Sequence, residues 1–165
     1  MKGKLQEFAL VAEIVSAIAV VLSLVYVGYQ IQQSTAERRT DSIHSLNAGY
    51  RELALTNVLN ENLGVAWHKV LDGEELSKRQ VDLMSDALYA HLMQLEDTYN
   101  RYKEGYIDDD FLVARTNAEI QRITYSPQLL EVYGLMKDAK IYTQSFIDWL
   151  DSNIESYPNI EENDT

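Results

Sequence analysis

The sequence predicts an all-α protein: one N-terminal transmembrane helix continuing into a stalk and a compact bundle of about five helices. Three observations predict it. Residues Phe8 to Tyr29 form 22 consecutive positions with a single charge, Glu13. The chain beyond them repeats apolar residues at helical spacing, between recognisable helix starts and stops. No alternating stretch competes as a strand, and no internal repeat is visible. The expected organisation is a tail at 1–7, a span at 8–29, a polar stalk at 30–42, an acidic bundle at 43–157 and an acidic tail at 158–165.

The apolar segment is the first element. At about 1.5 Å per residue it makes roughly 33 Å of helix, against a hydrocarbon core of about 30 Å. A helix satisfies its own backbone in lipid, so its β-branched residues are no obstacle. Tyr26 and Tyr29 stand at the far end, where interfacial aromatics belong, and Gln30, Gln32 and Gln33 follow as a polar collar. Three alternatives fit less well. A central buried helix needs a larger domain around it than the remaining chain supplies. A cleaved signal peptide has a formal "AIA" match at 17–19, but the apolar run continues well past it. An interfacial helix needs a basic face, which is missing.

Glu13 lies five residues inside the Phe8 boundary, about 8 Å along the axis. At that depth an acid reaches the headgroups or takes a proton, and costs less than at the bilayer centre. Beside it Ala9, Ala12, Ser16, Ala19 and Ser23 recur at spacings of three and four. Such small residues let helices approach closely in lipid, and Ser or Glu can bond across the gap. Ala9, Ala12, Glu13, Ser16, Ala19 and Ser23 are therefore the expected helix–helix contact.

The stretch "AEIVSAIAVVLSLVYVGYQIQQST" resembles the N-terminal signature of a widespread, uncharacterised family of small bacterial single-span membrane proteins. The resemblance is close over residues 12–35: an Ala-Glu-Ile start, an Ala/Val-rich core, a Ser-Leu-x-Tyr step and a Gln-Ile end. Beyond that it is general, resting on Trp67, "EGYID" near 105 and Ser126-Pro127. It implies a single-span protein of the bacterial inner membrane with an acidic helical domain, and it supplies no activity.

The bundle reads helix by helix. Ile43, Leu46, Tyr50, Leu53 and Val58 make the first stripe after the stalk. "GVAWHKVLDG" at 64–73 is a short apolar turn or helix ending at Gly73. Ser77 is the expected N-cap of the clearest amphipathic helix, with Val81, Met84, Leu88, Leu92, Leu95, Tyr99, Tyr102 and Tyr106 as its stripe. Gly105 is its expected C-cap. Asp108 to Asp110 put acids at the positive end of the next helix, lined by Phe111, Leu112, Ile120 and Ile123. Ser126-Pro127 opens another helix, and Tyr142 to Ile154 forms the last, with Phe146, Trp149 and Leu150 inward.

Composition narrows the function classes. The chain has 14 Lys plus Arg against 26 Asp plus Glu, a net charge of −12. Residues 1–34 are neutral, so the negative charge lies in the helical domain, where it repels nucleic acid. Without cysteines there is no disulfide, thiolate metal site or cysteine nucleophile. No Glu-x-x-His pair, phosphate loop or nucleophile elbow occurs, so no catalytic residue, metal or cofactor is assigned. The acids at 108–110 lack calcium-loop spacing.

Two function classes follow. The first is a membrane-anchored, self-assembling structural or interaction protein, its partners the lipid bilayer and copies of itself. The second is a small membrane-tethered enzyme or ligand sensor, with a pocket inside the bundle built from His68, His91, Tyr99 and Tyr102. The eleven tyrosines are its support. Lys2 and Lys4 against Arg38, Arg39 and Arg51 lean the positive side towards the C-terminal flank. The expected orientation is N-terminus outside and helical domain cytoplasmic.

Overall fold

A computed structural model describes residues 2–157 of the chain, with side chains from Leu10 onward. The described residues form six helices and no strand: α1 (Lys2–Leu59), α2 (Glu61–Leu71), α3 (Lys78–Lys103), α4 (Asp109–Thr124), α5 (Pro127–Asp138) and α6 (Gln144–Ser156). The acidic tail expected at 158–165 lies outside the described residues. The chain divides into two units between Asp41 and Ser42, so α1 contributes to both.

In the first unit α1 is apolar around its circumference from Leu10 to Tyr29 apart from Glu13, its mean hydropathy reaches 2.5 over an 18-residue stretch, and it turns polar from Gln30 to Asp41. Every large apolar side chain from Leu10 to Ile31 is 48–68 % exposed. This helix is long and apolar enough to cross a membrane, and none of that stretch is buried against protein.

The second unit begins where α1 becomes amphipathic. Leu46 is fully buried, with Ile43, Tyr50, Leu53 and Asn57 on the same half-buried face. The expected stripe is corrected at its end: Val58 is 80 % exposed, and Asn57 takes the inward position. Four turns from Ile43 at about 3.6 residues each reach Asn57, whereas Val58 falls one position too far round the helix.

α3 is the central element. It packs on α2, α4 and α5, while α4 packs on α5 and α6. Leu88, Leu92, Leu95 and Tyr99 form its inward line, meeting Ile120 and Ile123 of α4, Tyr133 of α5 and Phe146 and Leu150 of α6. A second cluster, Leu63, Ala66, Val70, Met84 and Leu129, joins α2 to α3 and α5. The stripe expected on α3 is corrected at Tyr102, which is exposed; the chain turns inward again at Ile107. Tyr102 is still helical, but it lies one residue before the end of α3 at Lys103 and past Tyr99, the last buried residue of that helix.

The helix ends follow local chemistry. Asn60, Asp108 and Ser126 each accept a backbone N–H from the first turn of the following helix. At Ser77 the Gln80 amide oxygen accepts from the Ser77 N–H, at 2.9 Å. Gly73 (φ 69°) and Gly105 (φ 76°) close α2 and α3 with left-handed residues. In each case the next N–H bonds back across the last turn, Glu74 to Lys69 O and Tyr106 to Arg101 O. α5 also ends on a left-handed residue, here not a glycine: Lys140 holds φ 53°. A left-handed non-glycine residue carries roughly 1–2 kcal/mol of steric cost.

Lys140→Gly should relieve that strain. Part of the gain is offset by the looser unfolded chain, leaving about 0.5–1 kcal/mol of added stability. Denaturant unfolding of the full chain in mild detergent measures it; an unchanged or lowered midpoint contradicts the strain.

Candidate functional site

The residues singled out on α1 are described within that helix alone. Ala12, Glu13, Ser16, Ala19 and Ser23 are all exposed; the side chain of Ala9 lies outside the described residues. Both serines have their hydroxyl protons committed locally. Ser16 Oγ donates to Ala12 O at 2.8 Å, and Ser23 Oγ donates to Ala19 O at 2.8 Å. This back-bonding satisfies the hydroxyl donor without a partner helix and leaves the serine oxygen as an acceptor. Further along, Gln30 Nε2 donates to the Tyr26 hydroxyl at 3.2 Å, tying the collar to the aromatic end.

The four residues expected to line an internal pocket do not share one. His68 is exposed on α2 and Tyr102 is exposed on α3, where the neighbouring Asp109 carboxylate raises its phenol pKa. Tyr99 is buried, its ring stacked on Trp149 at 4.7 Å and its hydroxyl donating to Ser145 O at 3.2 Å. His91 alone of the four borders the small cavity between Asn57, Trp67, Met84, Leu88 and Leu129. That cavity is ≈ 10 Å³, the size of about one water.

His91 belongs instead to a buried polar chain. Its Nδ1 lies 3.1 Å from Glu119 Oε1 on α4, and its Nε2 lies 3.0 Å from Asn57 Nδ2 on α1. With the Asn57 amide donating to Nε2, the ring proton sits on Nδ1 and is donated to Glu119. The other carboxylate oxygen accepts from Arg122 Nη1 at 3.2 Å. The Arg122 guanidinium in turn lies 5.8 Å from the centre of the Trp67 ring of α2. Glu119 is 3 % exposed, and no buried side-chain N or O among the described residues lacks a partner. The chain thus joins α1, α2, α3 and α4 through groups that are mutually satisfied.

Glu119 and Asn57 escaped the reading of the sequence. A signal was present: Leu112, Thr116, Glu119 and Ile123 keep the helical period, so Glu119 is an acid on the apolar face of α4.

Three phenols are held neutral. Burial pushes Tyr50 up to about 12, against the opposing effects of its Thr98 hydrogen bond and of Arg115. Burial also raises Tyr133 and Tyr142 above the usual phenol range; the Asp151 carboxylate adds to the effect at Tyr133, and Tyr89 at Tyr142.

No protein family matches the chain, and neither a curated protein nor a solved structure matches it. Fold and residues define an all-helical protein whose long N-terminal helix is apolar over its first half and amphipathic where it enters the bundle.

Two predictions follow from these groups. Glu119→Leu should destabilise the bundle by about 3 kcal/mol, because His91 Nδ1–H and Arg122 lose their acceptor. Adding His91→Leu should recover part of the loss, and a double-mutant cycle measures the coupling; strictly additive losses contradict it. The second concerns alkali. Each raised phenol favours the folded state, fully below the unfolded value of 10 and progressively less as pH climbs through the folded one, about 12 for Tyr50. Unfolding midpoints should therefore fall across that window, with late tyrosinate absorbance appearing together with unfolding. Full ionisation of all eleven tyrosines before any loss of helix contradicts it.

Proposed function

We propose that this is a bacterial inner-membrane protein, anchored by residues 8–29, whose membrane helix assembles with copies of itself and presents an acidic helical bundle as a structural or interaction module. The observation that carries this reading is the band from Leu10 to Ile31, apolar and exposed all round the helix. In water such a band would be a severe aggregation hazard, whereas a bilayer covers it. The interior of the bundle fits a scaffold role, since its buried polar side chains are spent on one another. The alternative, an internal ligand or reaction site at His91, draws no support from a cavity the size of one water.

Glu13 is the group that joins the helices. The serine protons are committed to their own helix, so Ser16 Oγ offers only lone pairs to a neighbour. The Glu13 carboxyl, one turn from Ser16, supplies the polar group that bonds across the contact. One such bond is worth only about 0.6–2 kcal/mol, so close packing at Ala12, Ala19 and Ser23 must add to it, repeated around a ring of subunits. The N-terminus faces outwards and the bundle lies in the cytoplasm, following the arginines on the C-terminal flank.

Native mass spectrometry in mild detergent tests the assembly. The parent should run as a discrete oligomer. Glu13→Ala and Ser16→Leu should give smaller species with unchanged helical content, and Glu13→Gln a milder shift, because its amide still donates. A monomeric parent, or three variants of parental size, defeats the assembly reading. Amine labelling in sealed vesicles tests orientation on the exposed Lys78. Reaction from the cytoplasmic side only is expected, and reaction from the outer side only reverses the assignment.

A further inference from the structure

Among the described residues the bundle carries a cationic groove in spite of its acidity. Between α1 and α4 lies an open depression of ≈ 560 Å³, lined by His44, Asn47, Ala48, Tyr50, Arg51 and Arg115, with no carboxylate among them. His44, Asn47, Ala48 and Arg51 fall at spacings of three, four and seven from the first, which places them on one face of α1. Arg115 faces them from α4.

Arg115 is held in position without an acid. Its Nη2 donates to Asn47 Oδ1 at 2.9 Å, and the guanidinium lies 4.5 Å from the Tyr50 ring centre and 5.2 Å from that of Phe111. The Tyr50 platform is itself fixed. Its hydroxyl lies 3.0 Å from Thr98 Oγ1, whose own proton goes to Gln94 O, so Tyr50 donates to Thr98 and anchors its ring to α3. Among the described residues Arg115 makes no further hydrogen bond, and neither Arg51 nor Arg115 pairs with a carboxylate. Both guanidiniums therefore keep donors free for an anion, although acids outnumber bases 26 to 14 in the chain. Two acids on the neighbouring helices are engaged elsewhere, Glu119 with His91 and Arg122, and Asp97 with Arg101, while Asp41 and Glu52 of α1 are exposed and do not line the groove.

We propose that this groove binds a phosphate group, carried by a small soluble molecule or by a lipid headgroup. The donors match that chemistry. Two guanidiniums from two helices present planar forks, the geometry that recognises oxyanions. Because Asn47 Oδ1 accepts from Arg115, its Nδ2 is left as a further donor, and His44 adds a ring N–H. Donors arriving from both walls exceed what two carboxylate oxygens absorb, whereas a phosphate presents at least one oxygen more. The volume leaves room for the organic part beyond the phosphate. A single phosphate also escapes the repulsion that the net charge imposes on a polyanion, since the groove itself is locally positive. In its soluble-ligand form the inference does not depend on the membrane reading, because every residue it uses lies in the second unit; the headgroup form rests on that reading.

The test uses the full chain in nonionic micelles, with the arginine side-chain N–H resonances as the readout. One arm titrates inorganic phosphate. The other adds phosphatidylglycerol to the micelles. A saturable shift with inorganic phosphate, weakened about tenfold or more by Arg51→Gln and by Arg115→Gln and unchanged by Arg79→Gln, is the result expected for a soluble ligand. The same variant pattern with phosphatidylglycerol alone supports the groove and assigns the headgroup. Arg51 is exposed and makes no side-chain bond among the described residues, so its variant reads binding even if Arg115→Gln disturbs folding. No saturable shift with either probe, or one that Arg79→Gln weakens as much as the groove variants, overturns the proposal.

Discussion

Glu119 is a carboxylate with almost no access to water, and the packing of the bundle is arranged around keeping it satisfied. An unpaired carboxylate at that depth would cost several kcal/mol. Both of its oxygens are occupied, one by His91 and one by Arg122. Each partner comes with a geometric condition. His91 must present Nδ1, so its Nε2 needs a donor, and Asn57 of α1 supplies it. Arg122 must fold back along α4, and the Trp67 face lies beside it. Apolar contacts are less directional than hydrogen bonds and constrain the register of neighbouring helices through shape alone. This chain of hydrogen bonds constrains it further, because a shift of one residue would leave a buried charge without its acceptor or donor.

The same logic holds α1 at the start of the second unit. Arg101 of α3 donates to Ser42 O at 3.2 Å and to Ser42 Oγ at 3.1 Å, and it pairs with Asp97. Tyr50 bonds Thr98 and Asn47 bonds Arg115. From Ser42 to Asn57, then, α1 is gripped by polar contacts at nearly every turn, with Leu46 as the fully buried residue of that face. These contacts set the register of α1 on α3 and α4, and Leu46 supplies the hydrophobic share.

One helix therefore carries two kinds of surface. Its first half offers apolar side chains in every direction, and within that half the serines and glutamines bond inside the helix. Its second half is amphipathic and trades side-chain hydrogen bonds with other helices. The groove beside it is a by-product of that exchange. Arg115 serves α1 by bonding Asn47 and stacking on Tyr50, and this leaves most of its donors facing the open depression.

The sequence by itself determined the helical class, the apolar first half of α1 and most helix ends. Each depends on residues within a few positions of one another: a 22-residue run without a break, a Ser or Asp before a first turn, a Gly after a last one. Lys140 was not legible, because its left-handed backbone has no glycine to announce it. Tyr102 and Val58 were misplaced where a period was carried past the point at which the helix or its contact ends. The tertiary structure alone decided how the polar groups are used. His68, His91, Tyr99 and Tyr102 look equivalent as a list, yet one is paired in the core, one is stacked on Trp149 and two face water. Glu119 meets His91 across 28 residues of chain, and Arg115 meets Asn47 across 68. Those partners lie on different helices, and a hydrogen bond depends on tenths of an ångström that only the packing of the helices sets.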